Sequence, residues 1–215
     1  EQPKSDFLAI LVSGGHSLLV VVNNFCKYRV VASTIDDSLG EALDKTAKIL
    51  GLGYPGGAKL EQLALSGRDH KLKFEMPMRR SNTLDFSFSG LKTKVNNFLE
   101  NLDEYNTLNN DDINNADVAA ALQEVAFNFI CERVFKAINR FGLNDIVLVG
   151  GVAANKVLRE KLSIIAKDNN AKLFYPSLEL CTDNAAMIAA AAYNRLANAN
   201  FDYDADILPR WNLES

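Results

Sequence analysis

The run Cys181-Thr182-Asp183-Asn184 stands directly ahead of the apolar stretch Ala185 to Ala190. A carboxylate and an amide so placed would sit at the mouth of a helix, where unpaired backbone N–H groups and the helix dipole favour an anionic ligand. Two more small-residue turns adjoin strand-like runs: Leu11-Val12-Ser13-Gly14-Gly15-His16 and Gly150-Gly151-Val152-Ala153-Ala154-Asn155. We expect the three to face one cleft and to make a nucleotide-type site. Without side chains in the way, the amides of Ser13-Gly14-Gly15 would be open to an anion; the plainer reading is a hairpin turn. Gly150-Gly151 would let a ligand approach the backbone, or would simply make room for strand-to-helix packing, with Asn155 touching the ligand or capping the helix.

Single carboxylates carry the remaining chemistry. Asp44, beside Glu41 and Lys45, is either an acceptor for vicinal ribose hydroxyls or part of a solvated helix face, and Glu61 has the same two readings. Asp183 is a metal ligand or a first-turn acid of the last helix. His16 and His70 are the two histidines, no H-x-x-x-H pair or C-x-x-C exists, and a complete metal site within this chain is not expected. Cys26, Cys131 and Cys181 are odd in number and widely spaced, which suits reduced thiols in a cytoplasm.

These residues need elements to position them. Residues 7–12, 17–22 and 28–33 read as an antiparallel three-strand meander. Leu39, Leu43, Ala47 and Leu50 then recur at helical spacing, capped from Asp36-Asp37-Ser38. Tyr54-Pro55-Gly56-Gly57 is a turn, 58–65 a second helix and 91–102 a third, after the polar turn 87–90. Residues 101–117, rich in Asn and Asp, read mostly as a surface loop. Helix 119–141, strand 145–149, helix 153–167, strand 171–175 and helix 182–197 complete the order. The tail from Asn198 holds Trp211 and is expected to pack through Phe201 and Tyr203. A meander extended by parallel strands is the plan of a ribonuclease-H-like lobe of the actin-like (ASKHA) group, an α/β fold; another three-layer α/β topology is the alternative. The lobe would occupy 1–215, with a helical insertion at about 36–116.

With 215 residues, 48% hydrophobic and 23% charged, the chain is long enough for one well-buried domain. Its net charge of −4 argues against a free-standing nucleic-acid binder. No apolar run approaches the roughly 20 residues of a membrane span, and no basic region followed by an apolar core opens the chain, so we expect a soluble, unexported protein.

The three turns, together with Gly40-Glu41-Ala42-Leu43-Asp44-Lys45-Thr46-Ala47, Tyr54-Pro55-Gly56-Gly57 and Phe86-Ser87-Phe88-Ser89-Gly90-Leu91-Lys92-Thr93, closely resemble the tRNA threonylcarbamoyladenosine transferase family (TsaD type), formerly called O-sialoglycoprotein endopeptidase or glycoprotease. The resemblance implies transfer of threonylcarbamoyl from threonylcarbamoyl-AMP to the adenosine following the anticodon, in tRNAs that read codons beginning with A. Carried over by motif, Leu11, Val12, Ser13, Gly14 and Gly15 would line the adenylate and metal side of the cleft. Asp44, Gly57 and Glu61 would hold the nucleoside, Asn155 would contact the nucleotide, and Asp183 would bind one divalent metal ion, Fe2+ or Zn2+. The family's amino-terminal lobe, with its paired histidines, has no counterpart here; the implied reading is a carboxy-terminal part, inactive alone. Implied partners are tRNA, the missing lobe, and either a paralogous actin-like protein with a small ATPase or, in an organelle, a second copy. The implied location is cytoplasmic, or mitochondrial. Three other readings stand beside it: a non-catalytic actin-like interaction module, a metallopeptidase as in the older naming, and a sugar kinase.

Overall fold

The computed structural model describes residues 3, 6–23, 27–196 and 213. Cys26, and the expected packing of Phe201, Tyr203 and Trp211, lie outside them. Strands β1 (Asp6–Val12), β2 (Ser17–Asn23) and β3 (Tyr28–Ser33) form the expected meander, and β4 (Asp145–Val149) and β5 (Lys172–Phe174) extend it. The sheet order is β3-β2-β1-β4-β5, with β1 antiparallel to β2 and parallel to β4, and β4 parallel to β5. A meander continued by parallel strands through a crossover helix is the ribonuclease-H-like lobe of actin-like proteins.

Alternation decides which side chains enter the core. Leu8, Ile10 and Val12 of β1 are fully buried on one face, as are Ile146 and Leu148 of β4, and each such side chain contributes about 1.5–3 kcal/mol. Between β3 and β4 run α1 (Leu39–Ile49), α2 (Gly57–Ala64), α3 (Ser89–Glu100), α4 (Leu102–Asn109) and α5 (Asn115–Phe141). The inward stripe expected for α5, namely Leu122, Val125, Phe129, Val134, Ala137 and Ile138, is buried throughout, and Gly142 ends the helix in the left-handed conformation.

The segment 101–117 departs from the expected loop. Leu102 and Tyr105 face the core at helical spacing, the Tyr105 ring meets Phe98 edge-on at 5.1 Å between centroids, and Asp103 and Glu104 favour the first turn, so the chain forms α4. Asn114 and Asp117 then make a capping box at the start of α5. Asp117 is fully buried and accepts from the backbone N and the guanidinium of Arg68, which hold its carboxyl down at about 2 against the opposing effect of burial. Its Asn/Asp content makes this segment look solvated; reciprocal capping removes the reason.

The start of α3 is capped from a distance. Asp36 accepts from the hydroxyls of Ser87 and Ser89 and from the backbone N of Phe88 and Ser89. Burial raises its pKa, but these four donors outweigh that and lower it overall.

The helix expected at 153–167 divides into a 3₁₀ turn, Gly151–Ala154, and α6 (Lys156–Asp168), separated by Asn155. The last helix, α7 (Ala185–Arg195), starts three residues later than expected, because the Asn184 side chain accepts from Met187 N and fixes the cap there. No residue of α7 is buried; Met187, Ile188 and Tyr193 stand 45%, 64% and 79% exposed.

Candidate functional site

The three turns singled out in the sequence meet at one cavity of about 800 Å³. Leu11, Ser13, Gly14 and His16 line it from the first, Gly150 and Gly151 from the second, and Cys181, Thr182, Asp183 and Asn184 from the third. Met187 and Ala190 of α7 supply an apolar wall. That size is in the range of small-molecule sites.

Two glycines permit the convergence. Gly150 has φ +98°, and a Cβ there would lie 2.3 Å from the Val12 carbonyl oxygen, so only glycine lets the second turn cross the end of β1. A Cβ on Gly40 would lie 2.5 Å from the Ser13 carbonyl oxygen, so the first turn of α1 packs directly on the loop. That contact is then fixed by Gly40 N donating to Ser13 O at 3.1 Å and Ser38 Oγ donating to Gly14 O at 2.7 Å.

The first turn is less open to an anion than its composition suggests. Ser13 N donates to His16 O, and the N–H groups of Gly15 and His16 both donate to Ser13 Oγ, at 3.2 and 3.0 Å. Only the N–H of Gly14 is left free in this loop, so it offers a ligand one donor rather than a nest.

Sequence reasoning missed the residue that holds the third turn. Arg159 of α6 donates to Ala153 O in the second turn, to Pro176 O ahead of the third and to Cys181 Sγ within it, the last two at 3.2 Å, and lies 4.3 Å over the Tyr175 ring. Cys181 is buried behind it. No motif marks Arg159, which reads as an ordinary charge on a helix. Asp183 is exposed at the cavity mouth, without a partner among the described side chains. His16 was visible only as the residue after Gly-Gly.

Asp44, Gly57 and Glu61 fall outside the lining of this cavity. Asp44 Oδ1 accepts from Gly56 N and Gly57 N at 2.9 and 2.8 Å, fixing the turn after the cis Tyr54-Pro55 bond. Glu61 Oε1 accepts from Lys156 N at the start of α6. Each carboxylate thus keeps one oxygen free as an acceptor. Asn155 is buried, and both ends of its amide are engaged: Nδ2 donates to Gln123 Oε1 at 2.8 Å and Oδ1 accepts from Leu158 N. In this structure it caps α6 and ties the second turn to α5, with no donor or acceptor turned toward the cavity. Val12 and Gly15 belong to the first turn but do not line the cavity.

Among the described residues, no three His, Cys, Asp or Glu side chains converge as metal ligands. Asp183 alone does not make a metal site. Nor is any described helix long and apolar enough to cross a membrane.

Comparison with known proteins agrees with this architecture. Over about nine-tenths of this chain, the structure superposes on HypF of T. kodakarensis (TM-score 0.67, 15% identity) and on full-length HypF in its phosphate- and nucleotide-bound form (TM-score 0.69, 13% identity). It covers 34% of each of those chains, and the likeness establishes the fold. In sequence the chain is 42% identical to the tRNA N6-adenosine threonylcarbamoyltransferase of Vesicomyosocius okutanii subsp. Calyptogena okutanii over 99% of its length, and 42% identical to that of Herminiimonas arsenicoxydans over all of it. It spans 60% and 63% of those two relatives. The family model described as TsaD, tRNA N6-adenosine threonylcarbamoyltransferase, matches residues 1–190. Matched by that model over most of its length, the chain belongs to the TsaD family of tRNA N6-adenosine threonylcarbamoyltransferases.

Proposed function

We propose that this chain is the nucleotide-side part of an enzyme that transfers threonylcarbamoyl from threonylcarbamoyl-AMP to the N6 amine of the adenosine following the anticodon of tRNA. The observation that carries the proposal is the meeting of three backbone turns at one cavity in a chain of this family. In the reaction the amine nitrogen bonds to the carbamoyl carbon, the bond from that carbon to the phosphate oxygen breaks, and AMP leaves with the electron pair while the amine loses a proton. The residues of this chain bind and orient. Gly14 N–H would meet a phosphate or carbamoyl oxygen, where one well-placed donor steadies developing charge. Gly150 and Gly151 bring backbone close to the ligand, and Met187 and Ala190 cover its apolar side.

The free oxygens of Asp44 and Glu61, with the Gly57 turn between them, suit vicinal ribose hydroxyls. Asn155, committed internally, would position the second turn. Leu11, Val12, Ser13 and Gly15 shape the loop that presents Gly14. Asp183 would give one ligand to a divalent metal, Fe2+ or Zn2+, whose other ligands would come from elsewhere, since the described residues do not fit a complete site. The wholly exposed apolar helix α7 supports a further amino-terminal lobe that closes the cleft. Assembly with a paralogous actin-like protein and a small ATPase, or with a second copy, belongs to the same proposal, as does a cytoplasmic or mitochondrial location.

The test is to incubate the full native protein, and separately this 215-residue chain, with tRNA and threonylcarbamoyl-AMP and to measure modified adenosine by mass spectrometry. Modification by the full protein only is the expected result. Modification by this chain alone would overturn the need for another lobe, and none by either, with intact partners present, would overturn the reading.

A further inference from the structure

We propose that the loop 78–83 and the adjoining side of α3 form the surface that grips the phosphate backbone of the RNA substrate. The inference rests on the transferase reading above and says where the polynucleotide lies. The net charge of −4 hides a local reversal: residues 76–98 contain four cations, Arg79, Arg80, Lys92 and Lys94, against one acid, Asp85. The Asp85 carboxylate is turned to the sheet, where it accepts from Ser33 N at 3.1 Å. Several cations elsewhere in the chain are matched with acids, as Lys45 is with Asp37 and Glu41, Arg68 with Asp112 and Asp117, and Lys161 with Glu124, and within the patch Lys94 reaches Glu75 only at 4.0 Å. Arg79 and Arg80 are exposed and have no acidic partner among the described residues.

Arg79, Arg80 and Lys94 share one open concavity of about 890 Å³, in which Glu75 is the single acid. Lys94 donates to the Glu75 carbonyl at 2.9 Å, which fixes that wall. An open groove with adjacent guanidinium groups suits a chain of phosphates, each taking a forked pair of donors, better than a small enclosed ligand. Exposed Asn82 and Thr83 beside them provide the neutral donors and acceptors that contact sugar and phosphate in such interfaces.

The loop is held rigid for this purpose. Met78 has φ +48°, a left-handed conformation that a residue with a side chain adopts only when its surroundings impose it. Those surroundings are visible: Met78 O accepts from Ser81 N at 2.9 Å and from Arg133 Nη2 at 3.3 Å. Arg133 is fully buried, donates through Nε to Asp85 O at 3.2 Å and lies 4.8 Å over the Phe129 ring. One buried cation therefore grips both ends of the loop and leaves the two arginines between them pointing to solvent. The patch is also tied to the cleft. Asp36 holds the first turn of α3, and two residues later Ser38 bonds the Gly14 carbonyl at the cavity.

The experiment compares Arg79→Glu/Arg80→Glu with Lys167→Glu/Lys172→Glu, a remote pair that changes net charge equally. It uses the full native protein, with tRNA affinity measured by fluorescence anisotropy across a salt series and adenine-nucleotide affinity measured in parallel. Losing two phosphate contacts should weaken tRNA binding about tenfold relative to the remote pair and lower the salt slope by about 2, with nucleotide affinity retained. Arg79→Gln/Arg80→Gln, which keeps the loop polar, should show the same direction with a smaller loss. Equal affinities and slopes in the two double variants overturn the proposal, as does capture of an acidic protein at this face with tRNA binding unchanged. Absence of tRNA binding by the unaltered protein at low salt overturns the transferase reading itself, a different failure.

Discussion

Asp117→Asn removes a charge that the fold has enclosed, and its cost can be worked from the structure. The carboxyl sits at about 2 in the folded chain, held there by the Arg68 guanidinium and by the N–H groups of Arg68 and Asn114. An unfolded aspartate titrates near 3.9, and each unit of difference is worth about 1.36 kcal/mol, so the pairing contributes on the order of 2.5 kcal/mol at neutral pH. Arg68 is 34% exposed, and solvent screening reduces this to roughly 1.5–2 kcal/mol. The sign follows from the lowered value: the contribution is complete above the unfolded pKa and disappears as pH falls through the folded one, so the window runs from about pH 4 down to about pH 2. Urea unfolding followed by circular dichroism near neutral pH should show the variant less stable by that amount, with the two curves converging toward pH 2. A variant as stable as the parent at pH 7, or a difference unchanged at pH 2, would refute the assignment of a buried, charge-paired Asp117.

Gly150→Ala places a Cβ 2.3 Å from Val12 O at φ +98°, and should cost about 2 kcal/mol or more in urea unfolding and abolish adenine-nucleotide binding measured by calorimetry. Asp183→Asn, exposed and without a partner among the described residues, should leave the unfolding midpoint unchanged while eliminating adenosine modification by the full enzyme. Ile188→Glu on the unburied helix should reduce binding of a hydrophobic dye by the isolated chain and weaken the full enzyme's activity, read by mass spectrometry. Asp36→Asn should destabilise the chain by about 1 kcal/mol above pH 4; the difference should shrink as pH falls, because the lowered pKa of Asp36 makes its contribution one that acid removes.

Strand positions were legible because alternation is local: residues 28–33 and 145–149 were read with the bounds they have in the structure. The meeting of the three turns was legible too, since two of them adjoin β1 and β4, neighbours in the sheet, and the third heads the helix that follows β5. What could not be read was the use of polar atoms across long separations. Asp36 bonds residues more than fifty positions away, and Asn155 reaches Gln123 thirty-two positions back. The same limit hid Arg159 and made Asp117 look like part of a solvated loop. The α4 helix was missed because its Asn and Asp residues resemble loop composition, while its apolar contacts through Leu102 and Tyr105 are few.

The serine-rich entry to α3 has the chemistry of a phosphate cradle: two hydroxyls and two backbone N–H groups at the positive end of a helix. Asp36 already fills it. A resident carboxylate there acts as a plug, since any phosphate arriving from the ligand or from RNA would have to displace a covalently tethered anion at very high effective concentration. Selectivity within this chain thus comes partly from occupancy. On the proposed function, phosphate groups would be turned away from the most inviting helix start, which leaves the Gly14 turn and its cavity to the nucleotide and the Arg79–Arg80 groove to RNA.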